Sequence, residues 1–251
     1  MLLQGKVAWL VGASGAIGQS IGERLAGAGA TVVLSSRSAD KIEALAASIA
    51  KGGGKARARR TDITDNADVQ AAAADIIARE GRIDCLVNST SLSIFGDFLE
   101  LTDEDWHKVL DAKLMGYLRT MRAAIPHMIR QGGGSIVNIS GRGGRQPTPA
   151  HLPGGSANAA VNLVSKGLAD TYWKNGVRIN VIAPGPIVSA RFEKIQASNE
   201  RVTGGNVPNA ALNRMGRPED VAEAVVWLLS DGARHTTGAV LPVDGGGIAT
   251  V

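Results

Sequence analysis

Short, continuous apolar runs alternate with amphipathic stretches from residue 6 to residue 243, and this alternation restricts the fold more than any other feature of the chain. Runs such as Lys6–Val11 and Ser135–Ser140 need cover on both faces, which is the situation of a strand in a parallel sheet with helices on either side. The pattern predicts strands at Lys6–Val11, Thr31–Ser35, a third that carries basic residues to Asp62, Asp84–Asn88, Ser135–Ser140, Val177–Ile182 and Ala239–Val243. Between them, helical spacing runs through Ile17, Ile21 and Leu25 up to Gly29, and through Ile42, Leu45 and Ile49 within Ala39–Ala50. A further helix spans Asn66–Glu80, with Asn66 as its cap and Gly81 as its stop. A long one opens on the capping box Thr102-Asp-Glu-Asp105 and reaches about Arg130 with a kink at Pro126. Ser156–Trp173 and Pro218–Leu229 are the last two. The expectation is an α/β fold: one doubly wound domain over residues 1–251 with a mainly parallel seven-stranded sheet. The long irregular stretch 189–217 is expected to be a loop on the substrate side, at the carboxyl ends of the strands.

Composition removes several alternatives. Glycine supplies 32 of 251 residues without a three-residue period, which points to tight turns rather than collagen. Aromatics are only 4%, too few for base-stacking platforms, and the net charge of +4 is mostly scattered. The one basic cluster, Lys55, Arg57, Arg59 and Arg60, alternates as a solvated edge strand would, so nucleic acid is not an expected partner. A single cysteine, Cys85, excludes an internal disulfide and suits a reducing compartment. No uninterrupted apolar stretch is long enough to span a membrane, and the first residues run from one lysine into a strand rather than forming a signal peptide. A cytoplasmic protein without membrane contact is expected, and no metal site.

The turn Gly12-Ala-Ser-Gly15-Ala-Ile-Gly18 joins the first strand to the first helix. Gly12 permits the tight turn, Gly15 lets backbone approach a pyrophosphate, and Gly18 allows helix to pack on strand, as in Rossmann dinucleotide sites. The helix start around Ile17 then offers free amides and a positive dipole end to phosphate. The second strand ends Ser35-Ser36-Arg37, where an NAD site commonly carries an acid. Arg37, with Ser14 and Ser36 nearby, suits a 2′-phosphate and favours NADP over NAD.

With these motifs the chain resembles the short-chain dehydrogenase/reductase family over its whole length. The glycine turn matches, although Ala16 stands where the commonest form has glycine. Asp62-Ile63 resembles the pair that contacts adenine. Leu86-Val87-Asn88 resembles the start of the family's Asn-Asn-Ala-Gly segment, and Ser89-Thr90-Ser91 departs from the rest. Asn180 to Ile187, NVIAPGPI, resembles the segment lining the nicotinamide, which brings in Pro184, Gly185 and Ile187. Gly216-Arg-Pro-Glu-Asp-Val221 and Val243-Asp-Gly-Gly246 resemble the family's C-terminal signatures.

The resemblance also implies chemistry by an Asn, a Ser and a Tyr-x-x-x-Lys motif. This chain has two tyrosines, Tyr117 and Tyr172, and four residues beyond them stand Met121 and Gly176. The family alignment places Lys113 at the Asn position, Gly141 at the Ser position, Gly154 at the Tyr position and Asn158 at the Lys position. Lys113 and Asn158 thus read as an exchange of ammonium and amide. Lys113, Asn158 and Ser140, one residue before the Ser position, form the candidate catalytic set. Asn158 is expected to hydrogen-bond the ribose, and a desolvated Lys113 to act as acid or base. Restoring only Tyr and Lys at 154 and 158 would set two lysines together, so the fourfold reversal at 113, 141, 154 and 158 has the better chance of restoring the usual site. Arg142, Arg145 and His151, in the loop after the fifth strand, are candidates to bind a substrate, possible anions included.

Three functions remain open. The first is an NADP(H)-dependent oxidoreductase of a small carbonyl or hydroxyl substrate with a non-standard proton relay. The second is a non-redox enzyme using Lys113 as base or Schiff-base nucleophile. The third is a catalytically inactive protein that binds cofactor or a partner. A homodimer or homotetramer is expected, because the helix reaching Arg130 and Ser156–Trp173 carry apolar and small residues on more than one face.

Overall fold

The computed structural model describes residues 1–204 and 215–247. Seven strands form one sheet: β1 (Val7–Val11), β2 (Thr31–Ser35), β3 (Lys55–Ala58), β4 (Cys85–Asn88), β5 (Gly134–Ile139), β6 (Val177–Pro184) and β7 (Val240–Val243). Their spatial order is β3-β2-β1-β4-β5-β6-β7 and each neighbouring pair is parallel. The chain reverses its direction of travel between β1 and β4, which opens a crevice outside their carboxyl ends.

The helices are α1 (Ala16–Gly27), α2 (Ala39–Lys51), α3 (Asn66–Glu80), α4 (Asp103–Leu110), α5 (Gly116–Arg130), α6 (Leu152–Tyr172), α7 (Ala190–Thr203) and α8 (Pro218–Leu229). Alternate strand residues divide between two cores. Ala8, Leu10, Val32, Leu34 and Val87 pack under α1, α2 and α8 through Ile21, Leu25, Ile42 and Val225. Trp9, Val11, Val33, Leu86 and Ile136 pack under α3, α5 and α6 through Ile76, Met121 and Val161. Truncating a buried leucine or isoleucine in either layer to alanine would cost about 2–5 kcal/mol. Among the described residues no helix is long and apolar enough to cross a membrane.

Four local readings change. The expected loop at 189–217 contains α7, started by Ser189 Oγ accepting from the Phe192 amide at 3.2 Å and ended by Gly204 at φ +62°; residues 205–214 of that stretch lie outside the described part. The cap of α3 is Asp65, whose carboxylate accepts from the Ala67 amide at 2.8 Å, because Asn66 already has helical geometry. The long helix begins on the expected Thr102 capping box but is divided by a π-helical turn, Asp111–Met115, and Pro126 lies within α5. The basic strand ends at Ala58, and Arg57 and Arg59 are half-buried and ion-paired to α3 rather than solvated.

Candidate active site

Gly12 has φ +91°, and a Cβ there would lie 2.6 Å from the Ser89 carbonyl group. A Cβ at Gly18 would lie 2.2 Å from the Gly12 oxygen, so side chains are excluded at both points. Gly15 is different: a Cβ there would meet nothing closer than 4.0 Å. Gly15 is the N-cap of α1 and no side chain caps that end. The first amides of α1 are therefore left for an outside acceptor, and they face a cavity of about 380 Å³ lined by Gly15, Ile17 and Gly18. Ser14 and Gly12 lie behind this lining. Pro184, Gly185 and Ile187 enter the cavity from the end of β6.

Arg37, Asp62 and Ile63, expected to meet the adenosine end of a dinucleotide, lie outside the cavity lining. Arg37 is exposed and has no carboxylate partner among the described residues. The Asp62 carboxyl is raised by burial but brought to a net value below the usual range by hydrogen bonds from Thr64 and by the Arg37 and Arg60 charges. Arg37 is thus close enough to act on Asp62 without being neutralised by it. Ile63 is buried against Gly116, and its carbonyl accepts from Arg119 at 3.2 Å. The Asn88 side chain turns into the interior instead: it donates to Asn138 and accepts from Thr120, both at 2.8 Å.

At the opposite end, the π-helical turn carries Lys113 into the cavity wall, 7% exposed. Its Nζ donates to the Ser140 carbonyl at 3.3 Å. Burial, and then the charge of Arg191, lower its pKa from 10.5 to about 7. Ser140 offers this carbonyl; its hydroxyl donates back to Ile182 O at 3.4 Å. Asn158, 3% exposed, also lines the cavity, and its Oδ1 has no hydrogen-bond partner. That orphaned acceptor, the uncapped α1 amides and the open Gly15 position together fit a dinucleotide with a ribose hydroxyl at Asn158 and a pyrophosphate at the glycine turn.

The positions expected to correspond to the family's Ser and Tyr, Gly141 and Gly154, have no room for a side chain without displacing a neighbour. A Cβ at Gly154 would stand 1.9 Å from His151 Nε2, so the imidazole holds the space a tyrosine there would need. A Cβ at Gly141 would stand 2.9 Å from Asn158 Nδ2. Burial, followed by the charges of Arg191 and Lys113, drives the His151 pKa down to about 3, so its ring is neutral at ordinary pH. Tyr117 is no substitute: its hydroxyl lies between the carbonyl oxygens of Thr90 and Ile139, at 3.1 and 3.0 Å, and burial raises its pKa. Of the loop arginines, Arg142 lines the cavity and Arg145 is exposed outside it.

Arg191, the second residue of α7, was hidden in the stretch expected to be irregular. Its Nη1 donates to Leu92 O at 2.7 Å and to Ser93 Oγ at 2.9 Å, its Nη2 lies 3.4 Å from His151 Nε2, and its face covers Phe95 at 5.1 Å. A serine cap at Ser189 and a terminal Gly204 bracket this helix in the sequence and were the available signal.

Comparison with known proteins agrees with the fold. The family model described as "Enoyl-(Acyl carrier protein) reductase" matches residues 12–247. The 3-oxoacyl-[acyl-carrier-protein] reductase FabG of Thermotoga maritima is 30% identical over 246 residues, 98% of this chain and 99% of its own. A solved structure from Burkholderia xenovorans, described as a short-chain dehydrogenase/reductase, is 31% identical with a TM-score of 0.89 over 99% of this chain and 98% of that one. Another, from Beutenbergia cavernae, described as an NAD(P)-dependent gluconate 5-dehydrogenase with NADP bound at low occupancy, is 31% identical with a TM-score of 0.90 over the same shares.

Proposed function

The chain belongs to the short-chain dehydrogenase/reductase family, and from that premise we propose an NADP(H)-dependent oxidoreductase of carbonyl and hydroxyl groups in which Lys113 handles the substrate proton. The observation that carries this reading is the placement of Lys113: buried in the cavity wall, held by a backbone carbonyl, with no carboxylate beside it and a pKa near 7. A group with that pKa holds and releases a proton with comparable ease at neutral pH. The bound dinucleotide supplies the hydride in reduction and accepts it in oxidation. In reduction, the Lys113 ammonium donates its proton to the substrate oxygen, and the neutral amine is reprotonated from solvent. The Ser140 carbonyl keeps Nζ directed at the cavity, and Asn158 Oδ1 accepts from the ribose. Neutral His151 walls the site where the family's tyrosine would stand. Arg37 supports NADP(H) over NAD(H) because its guanidinium has no carboxylate partner among the described residues.

The test is NADPH oxidation, followed by absorbance, against a panel of ketones and oxo acids with the parent protein and Lys113→Met. Substrate-dependent oxidation that Lys113→Met abolishes is expected. Oxidation that survives the substitution would overturn the role of Lys113. A lowered lysine pKa also suits Schiff-base formation, so borohydride trapping of substrate on Lys113 without NADPH turnover would instead favour non-redox chemistry. We further propose a homodimer or homotetramer. On α6, Leu163 and Trp173 at its end are 76% and 57% exposed, more apolar surface than a lone helix face needs. Light scattering giving a monomer mass at micromolar concentration would refute this.

A further inference from the structure

The cavity wall carries Lys113, Arg142, His151 and Arg191, and no aspartate or glutamate. Among the described residues Arg191 is held only by neutral groups: a carbonyl, a hydroxyl, an imidazole and the face of a phenyl ring. These contacts fix the guanidinium in place without cancelling its charge. Its Nε makes no hydrogen bond among the described residues. Burial lowers its pKa to about 10, and its charge in turn depresses both Lys113 and His151. Two cations that repel each other inside an acid-free cavity are an arrangement that an anion from outside would stabilise.

We infer that Arg191 is a substrate-binding residue that seats an oxyanion, so that the substrates are oxo acids or hydroxy acids, with the carboxylate or phosphate on Arg191 and the reacting oxygen toward Lys113. The inference rests on the oxidoreductase reading of the same cavity and adds the substrate class to it. A planar guanidinium already fixed at one edge presents its remaining donors with little loss of freedom. The bound oxyanion also offsets the Arg191 charge, the second influence on Lys113 after burial.

Calorimetry on the protein saturated with NADP+, which fills the phosphate turn, tests this with two pairs of probes: benzoate against benzamide and phenyl phosphate against phenol. At least one oxyanion is expected to bind tenfold or more tightly than its neutral counterpart, with the preference falling as salt is added. Which pair shows it distinguishes a carboxylate from a phosphate. Arg191→Gln is expected to remove the preference and Arg191→Lys to keep part of it. Equal binding within each pair, no binding, or a preference that survives Arg191→Gln would overturn the inference, and the wild-type comparison decides even if the variants do not fold. NADPH fluorescence on the same samples separates the two readings. A protein that binds no dinucleotide but holds benzoate through Arg191 keeps the anion seat and loses the oxidoreductase. One that reduces neutral ketones without oxyanion preference does the reverse.

Discussion

Arg57 and Arg191 are both guanidinium groups partly withdrawn from water, and their surroundings are opposite. At the β3–α3 edge, Arg57 is bonded to Asp75 at 2.7 Å and to Glu80 at 3.0 Å, and Arg59 to Asp68 at 3.0 Å. In the crevice, Arg191 and Lys113 have carbonyl, hydroxyl and ring partners and no carboxylate. The edge charges are paired with carboxylates of α3, although Arg57 Nη2 is left without a partner, and they attach a short strand to a helix. The crevice charges lack that compensation, the usual exchange at a functional site, and on the inference above an outside oxyanion would supply it. What separates Arg57 from Arg191 is the partner, since one stands on a β-strand and the other in the first turn of an α-helix.

The largest effect that would sharpen this contrast is expected from Lys113→Met. Loss of a general acid should lower turnover by about 100- to 10,000-fold. Stability should move the other way. The folded pKa of Lys113 lies below its ordinary 10.5, so the unfolded chain holds the proton more firmly. The burial cost is therefore full below pH 7 and fades as pH rises toward 10.5. Lys113→Met should be more stable than the parent near neutral pH, and progressively less so at higher pH. Denaturant unfolding at pH 6.5 and pH 9 checks the sign; a destabilised variant would place Lys113 with the structural charges.

The pH profile of reduction comes next. Above pH 7 the rate should fall about tenfold per unit as the Lys113 ammonium is lost. Arg191→Gln removes a charge that depresses Lys113, so the midpoint should move to higher pH. An unmoved midpoint in that variant would show the two cations to be independent.

How much of this contrast the sequence discloses follows from where each signal lies. Fully buried parallel strands are continuous apolar runs, so Leu10, Leu34 and Val137 mark their own places. The glycine turn is equally local, seven residues from Gly12 to Gly18 with their roles fixed by backbone geometry. The crevice is not local. Arg191 meets Leu92, Ser93 and His151, residues distant in the chain, and α7 is too polar to advertise a core-facing stripe. The interior direction of Asn88 was also hidden, because its partners Asn138 and Thr120 come from a neighbouring strand and from α5. The link between His151 and Gly154 was in reach: they stand one helical turn apart at the start of α6, where a ring and a missing side chain can exchange volume.

Arg37→Asp should have a moderate effect on cofactor choice. Loss of a charged contact to a 2′-phosphate is worth about 1.5–3 kcal/mol, roughly 10- to 150-fold in NADPH affinity, with NADH binding little changed. Equal affinity of the parent for both cofactors, by fluorescence titration, would remove Arg37 from the site. At the paired edge, Asp75→Ala should be felt only in stability. It removes bonds to Arg57 and to the exposed Arg79, and partly exposed pairs contribute about 1 kcal/mol or less each. Unchanged kcat and KM are expected, and a loss of turnover would break the division between the two regions.

The smallest effect is expected from the change that looks most drastic. Lys113→Asn, Gly141→Ser, Gly154→Tyr and Asn158→Lys together would rewrite the site in the family's usual residues, yet they should yield no measurable reductase activity. The fourfold change is insufficient because His151 already occupies the volume at 154, with Nε2 1.9 Å from the new Cβ. The imidazole is not free to swing aside: it packs on Phe95 with ring centroids 5.1 Å apart and meets Arg191 on its other edge. The contact at 141 is milder, since Asn158→Lys removes the amide that lies 2.9 Å from the serine Cβ. Adding His151→Ala should therefore matter more than any of the four, clearing the space a tyrosine ring needs. NADPH oxidation by the fivefold variant, set beside the fourfold one, reads this directly. If the fourfold variant is as active as the fivefold, His151 yields freely and the crevice is softer than its packing implies.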